Sequence, residues 1–444
     1  MEKQTMKQIL LDQREEIKKI FNIKIIEREI EEKVRASLKD NLIKVIIGVR
    51  RCGKSVLSHH LLKDKNYAYI NFDDERLISV KAEDLNDFLE VLKEINPDFN
   101  YLLLDEVQNV SGWELFVNRL KRMGYNLIIT GSNSKLLSKE LSTCLTGRHF
   151  TIELYPFSFV EFLKYKNFKY VENDSYVTEK RAQIKRLFSE YLKFGGFPEL
   201  FKIEFKEQYL RDLYDKIITR DVVARYKIKY FKVLKEISLY LISHFGSRIT
   251  YNKLKNIFEI NSVHTIKNYI SYLEEAYLIF QLFPFSFKLK NQLRGAKKIY
   301  TIDAGLINSI SFQFLQNLGK LMENIVFLQL KRKSNEFYFY NEPADGEVDF
   351  VIREGLKIKE LIQVCHNLDD LETREREIRS LIRGSKQLEC NNLTIITYDQ
   401  EKEEIIKEKK IKFIPLWKWL LFSITFAPLG WEIKCSKSLQ RDIL

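Results

Sequence analysis

Short apolar runs alternate with longer stretches of helical periodicity in the first third of the chain. Each run has four to seven residues, and the runs are KVII (44–47), YAYINF (67–72), YLLLDE (101–106), NLIITGS (126–132) and FTIEL (150–154). Short continuous apolar runs are typical of strands that helices cover on both faces, and their alternation with helical segments favours parallel pairing. The pattern therefore predicts a parallel sheet in an α/β domain.

The same patterning divides the chain into four segments. Residues 1–40 alternate acids and bases around apolar positions at helical spacing, which predicts one or two charged helices. Residues 41–205 contain the predicted sheet. Residues 206–300 follow the helix and strand pattern of a winged helix, in which Ser262 caps the recognition helix. Residues 301–444 mix helices with strands and predict a third, α/β domain.

Charge and cysteine content limit the partners and the compartment. The 444 residues include 73 Lys and Arg against 61 Asp and Glu, a formal net charge of +12 that favours polyanionic partners such as nucleic acid. The five cysteines form no CxxC pair, so we predict no disulfide framework, no zinc site and a cytoplasmic location. No stretch reaches the roughly 20 apolar residues that span a bilayer. Residues 419–431 are interpreted as a buried helix and loop.

Residues 48–55 read G-V-R-R-C-G-K-S, a complete GxxxxGK[ST] motif between a strand and a helical segment. In such a loop backbone N–H groups surround the phosphates, Lys54 adds a positive charge and Ser55 ligates Mg²⁺. The motif predicts a site for ATP and Mg²⁺. The sequence leaves open whether Arg50 or Arg51 touches the nucleotide. The predicted nucleotide-binding set is Gly48, Arg51, Cys52, Gly53, Lys54, Ser55 and Val56.

The run YLLLDE ends in two adjacent acids, Asp105 and Glu106. We predict that Asp105 holds Mg²⁺ through water, and that Glu106 orients and deprotonates the attacking water. A solvated acid at a strand end is the ordinary alternative for Glu106. One extra predicted strand, residues 67–72, lies between the phosphate loop and these acids. The inserted strand separates the class of NTPase predicted here from GTPases and small-molecule kinases. The acidic pair predicts that the nucleotide is hydrolysed as well as bound.

Two further positions are candidates for the reaction. Asn133 follows the next predicted strand, where a polar side chain would lie beside the γ-phosphate and help to fix the water. Ser132 is the reserve choice there, and a simple turn is the alternative. Arg148 precedes the fifth predicted strand and would project toward a neighbouring subunit's nucleotide as an arginine finger, which implies a homo-oligomer. An ordinary surface arginine is the alternative for Arg148.

At these positions the chain resembles a known family, the prokaryotic AAA+ ATPases with a C-terminal DUF4143 domain that are common in archaea. The resemblance runs from about residue 10 to the end. It implies a nucleotide-driven ATPase with an AAA+ P-loop domain over 41–205, a winged helix over 206–300, and a domain similar to the restriction-endonuclease fold over 301–444. The stretches that carry it are GVRRCGKSVL, YINFDDERL, LLLDEVQNVSGWELFVNRL, IITGSNSKLLSKEL, LTGRHFTIELYPFSFVEFL, FGGFPEL, ITRDVVARY and KIYTIDAGLIN.

The resemblance raises the question of nuclease activity, which depends on Glu323, Asp349 and the strand LIQVC. An active site of that fold would show an acid and a lysine on this strand, where the chain has Gln363 and Cys365. The amide and the thiol remove one metal ligand and the cation, so we predict an inactive nuclease fold. Glu347 and Asp349 are then interpreted as surface acids of an edge strand.

Two functional hypotheses stay open. In the first, the nucleotide state of the ATPase controls DNA engagement by the winged helix, through lysines and arginines whose binding to phosphates would depend on salt. In the second, these cations are a solvated face, and ATP alters assembly with a protein partner in a signalling switch or scaffold. The cations of the first hypothesis are Lys253, Lys255, Lys267, Lys288, Lys290, Arg294, Lys297 and Lys298.

Overall fold

The computed structural model describes residues 1–22, 24–133, 147–311, 317–333, 336–342 and 346–422. Fourteen strands lie in these ranges: β1 (Ile43–Ile47), β2 (Tyr67–Asn71), β3 (Tyr101–Asp105), β4 (Asn126–Gly131), β5 (His149–Glu153), β6 (Arg248–Ile249), β7 (Ile279–Leu282), β8 (Lys297–Thr301), β9 (Glu336–Glu342), β10 (Gly346–Glu354), β11 (Lys357–Cys365), β12 (Leu393–Thr397), β13 (Lys402–Ile406) and β14 (Lys409–Pro415).

Sixteen α-helices lie in the same described ranges: α1 (Lys3–Phe21), α2 (Glu31–Ser37), α3 (Lys54–Leu61), α4 (Leu85–Ile95), α5 (Trp113–Arg122), α6 (Phe159–Tyr165), α7 (Thr178–Phe194), α8 (Lys206–Lys216), α9 (Phe231–Ser243), α10 (Tyr251–Ile257), α11 (Val263–Glu275), α12 (Leu289–Arg294), α13 (Ala304–Ile310), α14 (Leu318–Arg332), α15 (Leu371–Gln387) and α16 (Leu416–Phe422). None of them combines the length and the apolar character needed to cross a membrane.

The first sheet holds five parallel strands in the order β2-β3-β4-β1-β5, which confirms the predicted parallel sheet. All five residues of β1 are buried, as its continuous apolar run indicates. Strand β4 lies between β1 and β3, so the strand before the phosphate loop and the strand before the acidic pair are not neighbours. Because all the strands are parallel, their carboxyl ends share one edge of the sheet.

The N-terminal helix lies on this sheet. Helix α1 buries Met6, Ile9, Leu10 and Ile17, whose spacing places them on one helical face, against α4 and β2. The Gln13 side chain extends the contact, because its Nε2 donates to the Asn71 carbonyl (3.1 Å) and its Oε1 accepts from the Asn71 N–H (2.9 Å). Helix α1 therefore shares its core with the five-stranded sheet that carries the phosphate loop.

A π-helical segment, Ile217–Ala224, continues α8 and leads into the middle of the chain. After it come α9, β6, α10, α11, β7, the short helix α12 and β8, and the three strands pair antiparallel in the order β6-β8-β7. The Ser262 hydroxyl accepts from the His264 N–H (3.2 Å), so Ser262 caps α11 as predicted. The capped helix α11 packs against both α10 and β7.

One buried aspartate joins the end of α7 to the start of α13. The carboxylate of Asp303 accepts from the N–H groups of Gly305 (2.8 Å) and Gly196 (2.7 Å). A Cβ on Gly195 would lie 2.0 Å from Asp303 Oδ1, and a Cβ on Gly305 would lie 2.1 Å from the Phe194 carbonyl oxygen. The stretches FGGFPEL and TIDAGLIN are therefore the two halves of one contact, in which only glycine leaves room for the carboxylate.

The C-terminal sheet has six strands in the order β13-β14-β12-β11-β10-β9. Strands β9, β10 and β11 form an antiparallel meander, whereas β12 runs parallel to both β11 and β14. Helix α15 packs on β10 and β11, and α14 contacts β11 and β8. The hairpin of β13 and β14 was not predicted from the sequence. Of residues 419–431, those up to 422 belong to the largely buried α16, and the rest lie outside the described residues.

A buried lysine gathers three carboxylates where β8 meets this sheet. The Nζ of Lys298 lies 2.7 Å from Glu323, 2.5 Å from Glu347 and 2.8 Å from Asp349, and the Tyr300 hydroxyl donates to Glu323 (2.6 Å). Burial and the charge of Asp349 raise the pKa of Glu323 to about 7, against the opposing charge of Lys298. We call these four charged residues the Lys298 cluster.

The Lys298 cluster corrects two expectations. Glu347 and Asp349 are not on an edge strand, because β10 lies between β9 and β11, and Asp349 is buried. Lys297 and Lys298 are buried as well, so they are not among the cations that a DNA backbone could reach. The Nζ of Lys297 donates instead to the carbonyl of Leu293 (2.9 Å). The Nζ of Lys298 donates to the carboxylates of its cluster, among them that of Asp349.

Candidate nucleotide site

The phosphate loop joins β1 to α3 through conformations that favour glycine. Gly53 precedes the helix with φ +97°, in the left-handed region, and Arg51 has φ +66°. A Cβ at Gly48 would lie 2.0 Å from the Leu154 carbonyl oxygen, so the loop lies against the end of β5 too closely for any side chain. The free N–H groups at the start of α3 form an anion-binding surface at the carboxyl edge of the sheet.

Lys54 is the first residue of α3 and is 5% exposed. Its Nζ donates to the carbonyls of Gly48 (3.1 Å) and Val49 (3.2 Å) and lies 3.6 Å from Glu106 Oε1. Burial alone would lower the pKa of Lys54, but the negative charges around it, with Glu106 first among them and Asp105 and Asp221 adding to it, together raise the pKa above its ordinary value. The side chain therefore keeps its positive charge beside the loop.

Asp105 ends β3 with a buried carboxylate. It accepts hydrogen bonds from the hydroxyls of Ser55, Thr130 and Tyr69, the last at 3.3 Å. Burial and the charge of Glu106 raise the pKa of Asp105, because the carboxylate has lost its water without gaining a full positive partner. Paired hydroxyl and carboxylate oxygens are the hard ligands that Mg²⁺ prefers, so Ser55 and Asp105 fit the predicted metal site.

Glu106 follows Asp105 in a left-handed conformation, with φ +52°. Its carboxylate accepts from the backbone N–H of Ser132 (3.1 Å) and from the Gln108 amide. Burial would raise the pKa of Glu106, but the charges of Lys54 and Arg50 outweigh it and lower the pKa. Glu106 is therefore ionised at neutral pH and can accept a proton.

These groups line a cavity of about 550 Å³, within the usual size range of small-molecule sites. Of the predicted nucleotide-binding set, Arg51, Gly53, Lys54, Ser55 and Val56 lie on its wall, together with Asp105 and Glu106. Gly48 and Cys52 lie behind the wall. Cys52 is fully buried, with its Sγ 3.3 Å from the Leu154 carbonyl oxygen, so its side chain packs the loop against β5.

The structure separates the two remaining candidates. Asn133 is buried at the end of β4, and its amide donates to the hydroxyl of Tyr226 (3.0 Å), in the segment that leads to α9. Arg148 is exposed at the start of β5. Because β5 is parallel to β1, Arg148 lies beside Ile43 at the opposite end of the sheet from the phosphate loop. Within one chain the structure therefore does not bring Arg148 to the cavity.

Several cavity residues lie outside the predicted nucleotide-binding set. Arg50, which the sequence left open, lines the cavity and pairs with Asp221 and Asp73. Arg28, from the segment after α1, is buried, and its guanidinium donates to the Cys52 carbonyl (2.9 Å) behind the phosphate loop. Further wall residues come from the N-terminal segment and from the 3₁₀ turn after α7, and include Ile20, Ile25, Ile26, Pro198 and Glu199. Their sequence spacing gives no signal, since only the fold brings them to the loop.

The five-stranded sheet, the phosphate loop and the acidic pair together define an AAA-type P-loop ATPase domain. A family model described as an AAA domain matches residues 40–163, and a model of a domain of unknown function, DUF8612, matches residues 185–317. The expected DUF4143 domain is therefore wrong. The chain belongs to the same family as the uncharacterized protein MJ1544 of Methanocaldococcus jannaschii, which is 41% identical over 435 residues, or 93% of this chain and 94% of the relative.

Two further proteins are similar to this chain. An uncharacterized protein of Haemophilus influenzae is 33% identical over 384 residues, covering 80% of this chain and 93% of that protein. Among solved structures, the Walker-type ATPase PABY2304 of Pyrococcus abyssi is 15% identical, with a TM-score of 0.40, and the match covers 64% of this chain and 96% of that one.

Proposed function

We propose that this protein binds ATP with Mg²⁺ and hydrolyses it, and that its nucleotide state controls engagement of DNA by the middle of the chain. One observation carries the proposal: Lys54, the Ser55–Asp105 pair and Glu106 border a single cavity at the carboxyl edge of the sheet.

The proposed roles follow from these positions. The start of α3 and Lys54 bind the phosphates, and Ser55 and Asp105 would hold Mg²⁺, which when bound neutralises charge on the phosphates. Glu106 accepts a proton from water as the water oxygen attacks the γ-phosphorus and the bond to the ADP oxygen breaks. The carboxylate of Glu106 is held by the Ser132 N–H at 3.1 Å, which fixes the direction of the lone pairs that face the water.

The apolar part of the cavity wall is a suitable binding surface for the adenine base of ATP. Ile20, Ile25 and Ile26 of the N-terminal segment line the same cavity as the phosphate loop, as does Pro198. Apolar side chains of this kind suit a purine ring, whose faces gain by leaving water. We therefore assign this wall to the adenine base.

We propose that Arg148 acts as an arginine finger on a neighbouring copy of the chain. It is exposed and lies far from the loop of its own chain, so a role at a nucleotide would have to be in trans. Arg148→Ala should then lose turnover without losing ATP affinity, and the specific activity of the wild type should rise with protein concentration. A specific activity that stays constant over a wide concentration range would exclude a finger between subunits.

The unit from α9 to β8 supports the DNA part of the proposal. Its order is helix, strand, two helices and two strands, with the short helix α12 between the last two strands. This order and the three-stranded antiparallel sheet resemble a winged helix with α11 as the recognition helix. Between β7 and β8, Lys288, Lys290 and Arg294 are exposed, and residues 286–298 contain no acid. Such an uncompensated basic loop suits the phosphates of a DNA backbone.

The Lys298 cluster supports a structural role for the C-terminal sheet. An ammonium already lies between Glu323 and Asp349, the acids that a nuclease would use to bind its metal. The side chain of Gln363 is committed as well, because its Oε1 accepts from the Asp349 N–H (3.2 Å) and its amide donates to Glu377. We therefore propose that this nuclease-like sheet does not cut nucleic acid.

A protein partner is the second candidate, because apolar side chains accompany the basic ones. Phe287 is 83% exposed, and Leu289 and Leu293 are also exposed on the same loop. Exposed apolar residues clustered in this way are typical of protein interfaces. In this alternative, ATP would alter assembly with a partner through the loop between β7 and β8, without DNA.

DNA binding at several salt concentrations separates these candidates. The triple variant Lys288→Ala, Lys290→Ala and Arg294→Ala should bind duplex DNA more weakly, with a slope of log affinity against log salt smaller by about 3. The matched control removes three exposed lysines elsewhere, Lys63, Lys357 and Lys386. Equal slopes for the wild type and the triple variant, or no DNA binding by the wild type, would favour the protein partner.

A further inference from the structure

Arg50 occupies the second variable position of the phosphate loop, and its side chain pairs with residues far from the loop in sequence. Its guanidinium pairs with Asp221 through two hydrogen bonds, Nε to Oδ2 and Nη2 to Oδ1, each 3.0 Å long. Its third nitrogen lies 3.3 Å from Asp73 Oδ2. Paired hydrogen bonds of this kind fix the plane of a guanidinium as well as its position.

Asp221 belongs to the π-helical segment and is buried. Its Oδ1 also accepts from the Ser132 hydroxyl (3.4 Å), and the backbone N–H of Ser132 donates to Glu106. Asp221 therefore connects the phosphate loop to Ser132, just after β4. Ser132 is also the residue whose N–H holds the proposed catalytic base, Glu106. Irregular helical turns of the π type occur frequently at functional sites.

An ordinary ion pair between two parts of the chain is the simpler explanation, and the location of Arg50 argues against it. Arg50 lines the cavity together with Lys54, Asp105 and Glu106, and its charge contributes to the lowered pKa of Glu106. Arg51 also lies on the cavity wall, but it pairs with Glu199, 2.9 Å from its Nη1, and half of its side chain is exposed. Arg50 thus adds a second cation to Lys54 at the end of the cavity that faces Glu106.

We propose that Arg50 binds the terminal phosphate of ATP, and that Asp221 is a positioning residue that directs the guanidinium of Arg50 toward it. The inference rests on the proposed ATP site and adds the group that distinguishes ATP from ADP. Because Asp221 lies in the segment between the sheet and α9, the same contact links the presence of the γ-phosphate to the middle of the chain.

The first test measures equilibrium affinity for ADP and for a non-hydrolysable ATP analogue. Arg50→Ala should weaken binding of the analogue by about 10- to 100-fold, the usual range for a charge-assisted hydrogen bond, and change ADP affinity by less than about twofold. Arg50→Lys should restore part of the difference. Equal losses for the two nucleotides would overturn the inference, because a structural arginine affects the whole loop.

The second test separates positioning from stability. Asp221→Asn should lower kcat by about tenfold and also raise KM, because the contact of Arg50 with the terminal phosphate is weakened in the bound state as well, and Asp221→Glu should recover part of both. The matched control is Asp399→Asn, which breaks another pair with an arginine, Arg181 (3.0 Å), far along the chain from the cavity. Thermal unfolding without nucleotide is measured for each variant. A kcat of Asp221→Asn that is unchanged, or that falls only as the folded fraction falls, would overturn the inference.

The outcomes also separate this inference from the proposed function. A wild-type protein that neither binds nor hydrolyses ATP would overturn both. If the wild type binds ATP and Arg50→Ala keeps the full preference for the ATP analogue over ADP, only the role of Arg50 and Asp221 is wrong.

Discussion

Two buried lysines, Lys54 and Lys298, lie among acids in different parts of this molecule. Lys54 has one carboxylate near it, 3.6 Å away, and donates to two carbonyls beside a cavity. Lys298 has three carboxylates within 2.8 Å and is 2% exposed. Both ammonium groups carry a raised pKa that acidic neighbours sustain against burial.

The difference shows that a buried cation can either bind a ligand or stabilise the fold. The charge of Lys54 is only partly balanced, and it faces a space that a polyphosphate can enter. The charge of Lys298 is more than balanced, so an incoming anion would meet excess negative charge. Burial alone does not distinguish a binding lysine from a structural one. The number of carboxylates around the ammonium and the presence of a cavity beside it do.

The largest effect should come from Lys298→Met, which leaves three carboxylates without their cation. Breaking a buried ion pair on one side typically costs about 3–5 kcal/mol, so the region around β8 and β10 should open at lower denaturant. Hydrogen exchange of the β10 amides measures this opening. The control is Lys290→Met, which changes an exposed lysine of α12, the short helix before β8. Unchanged protection of β10 in Lys298→Met would show that the cluster does not stabilise the fold.

Lys54→Ala should have the next largest effect, on the nucleotide and not on the fold. We expect ATP affinity to fall by about 100-fold or more, because the phosphates lose the charge beside α3. Calorimetry measures the affinity, and thermal unfolding without ATP should change little. Lys63→Ala, just after the same helix, is the control. Retained affinity in Lys54→Ala would contradict the assignment of the loop.

The smallest expected effect is a pH dependence of the free energy of unfolding, which arises from Glu323 in the Lys298 cluster. The folded-state pKa of Glu323 is about 7, above the ordinary value of 4.5, so the folded protein holds a proton that the unfolded chain releases. The stability that this proton contributes is present below pH 4.5 and is lost as the pH rises to about 7, at no more than about 1.4 kcal/mol per pH unit.

Glu323→Gln tests this pH dependence, because the amide keeps the shape of the side chain and removes its titration. Thermal unfolding between pH 5 and pH 8 should show the wild type losing stability relative to Glu323→Gln as the pH rises. Parallel curves for the two proteins would mean that Glu323 does not take up a proton on folding.

The sequence was informative wherever local chemistry specifies structure. The apolar runs predicted all five strands of the first sheet, and the phosphate loop and the acidic pair could be read directly because each is contiguous. The Ser262 cap is equally local, since a serine before an apolar periodic segment accepts from the first turn of the helix.

Long-range pairing could not be predicted, and it decides most of the rest. Nothing near Arg50 indicates that its partner is Asp221, 171 residues away, and nothing near Lys298 indicates three acids on other elements. A lysine-rich stretch favours an exposed face, so Lys297 and Lys298 were grouped with the exposed cations. Only the packing of β8 against α14 and β10 buries them.

The measurement that tests the central claim most directly is steady-state ATP hydrolysis by the wild type and by Glu106→Gln, with ATP affinity measured in parallel. Glu75→Gln, an exposed acid after β2, is the control. We predict that the wild type hydrolyses ATP, and that Glu106→Gln binds it with similar affinity but turns it over ~100-fold more slowly, as loss of a general base requires. Equal turnover by the wild type and Glu106→Gln, or no hydrolysis by the wild type, would contradict the account.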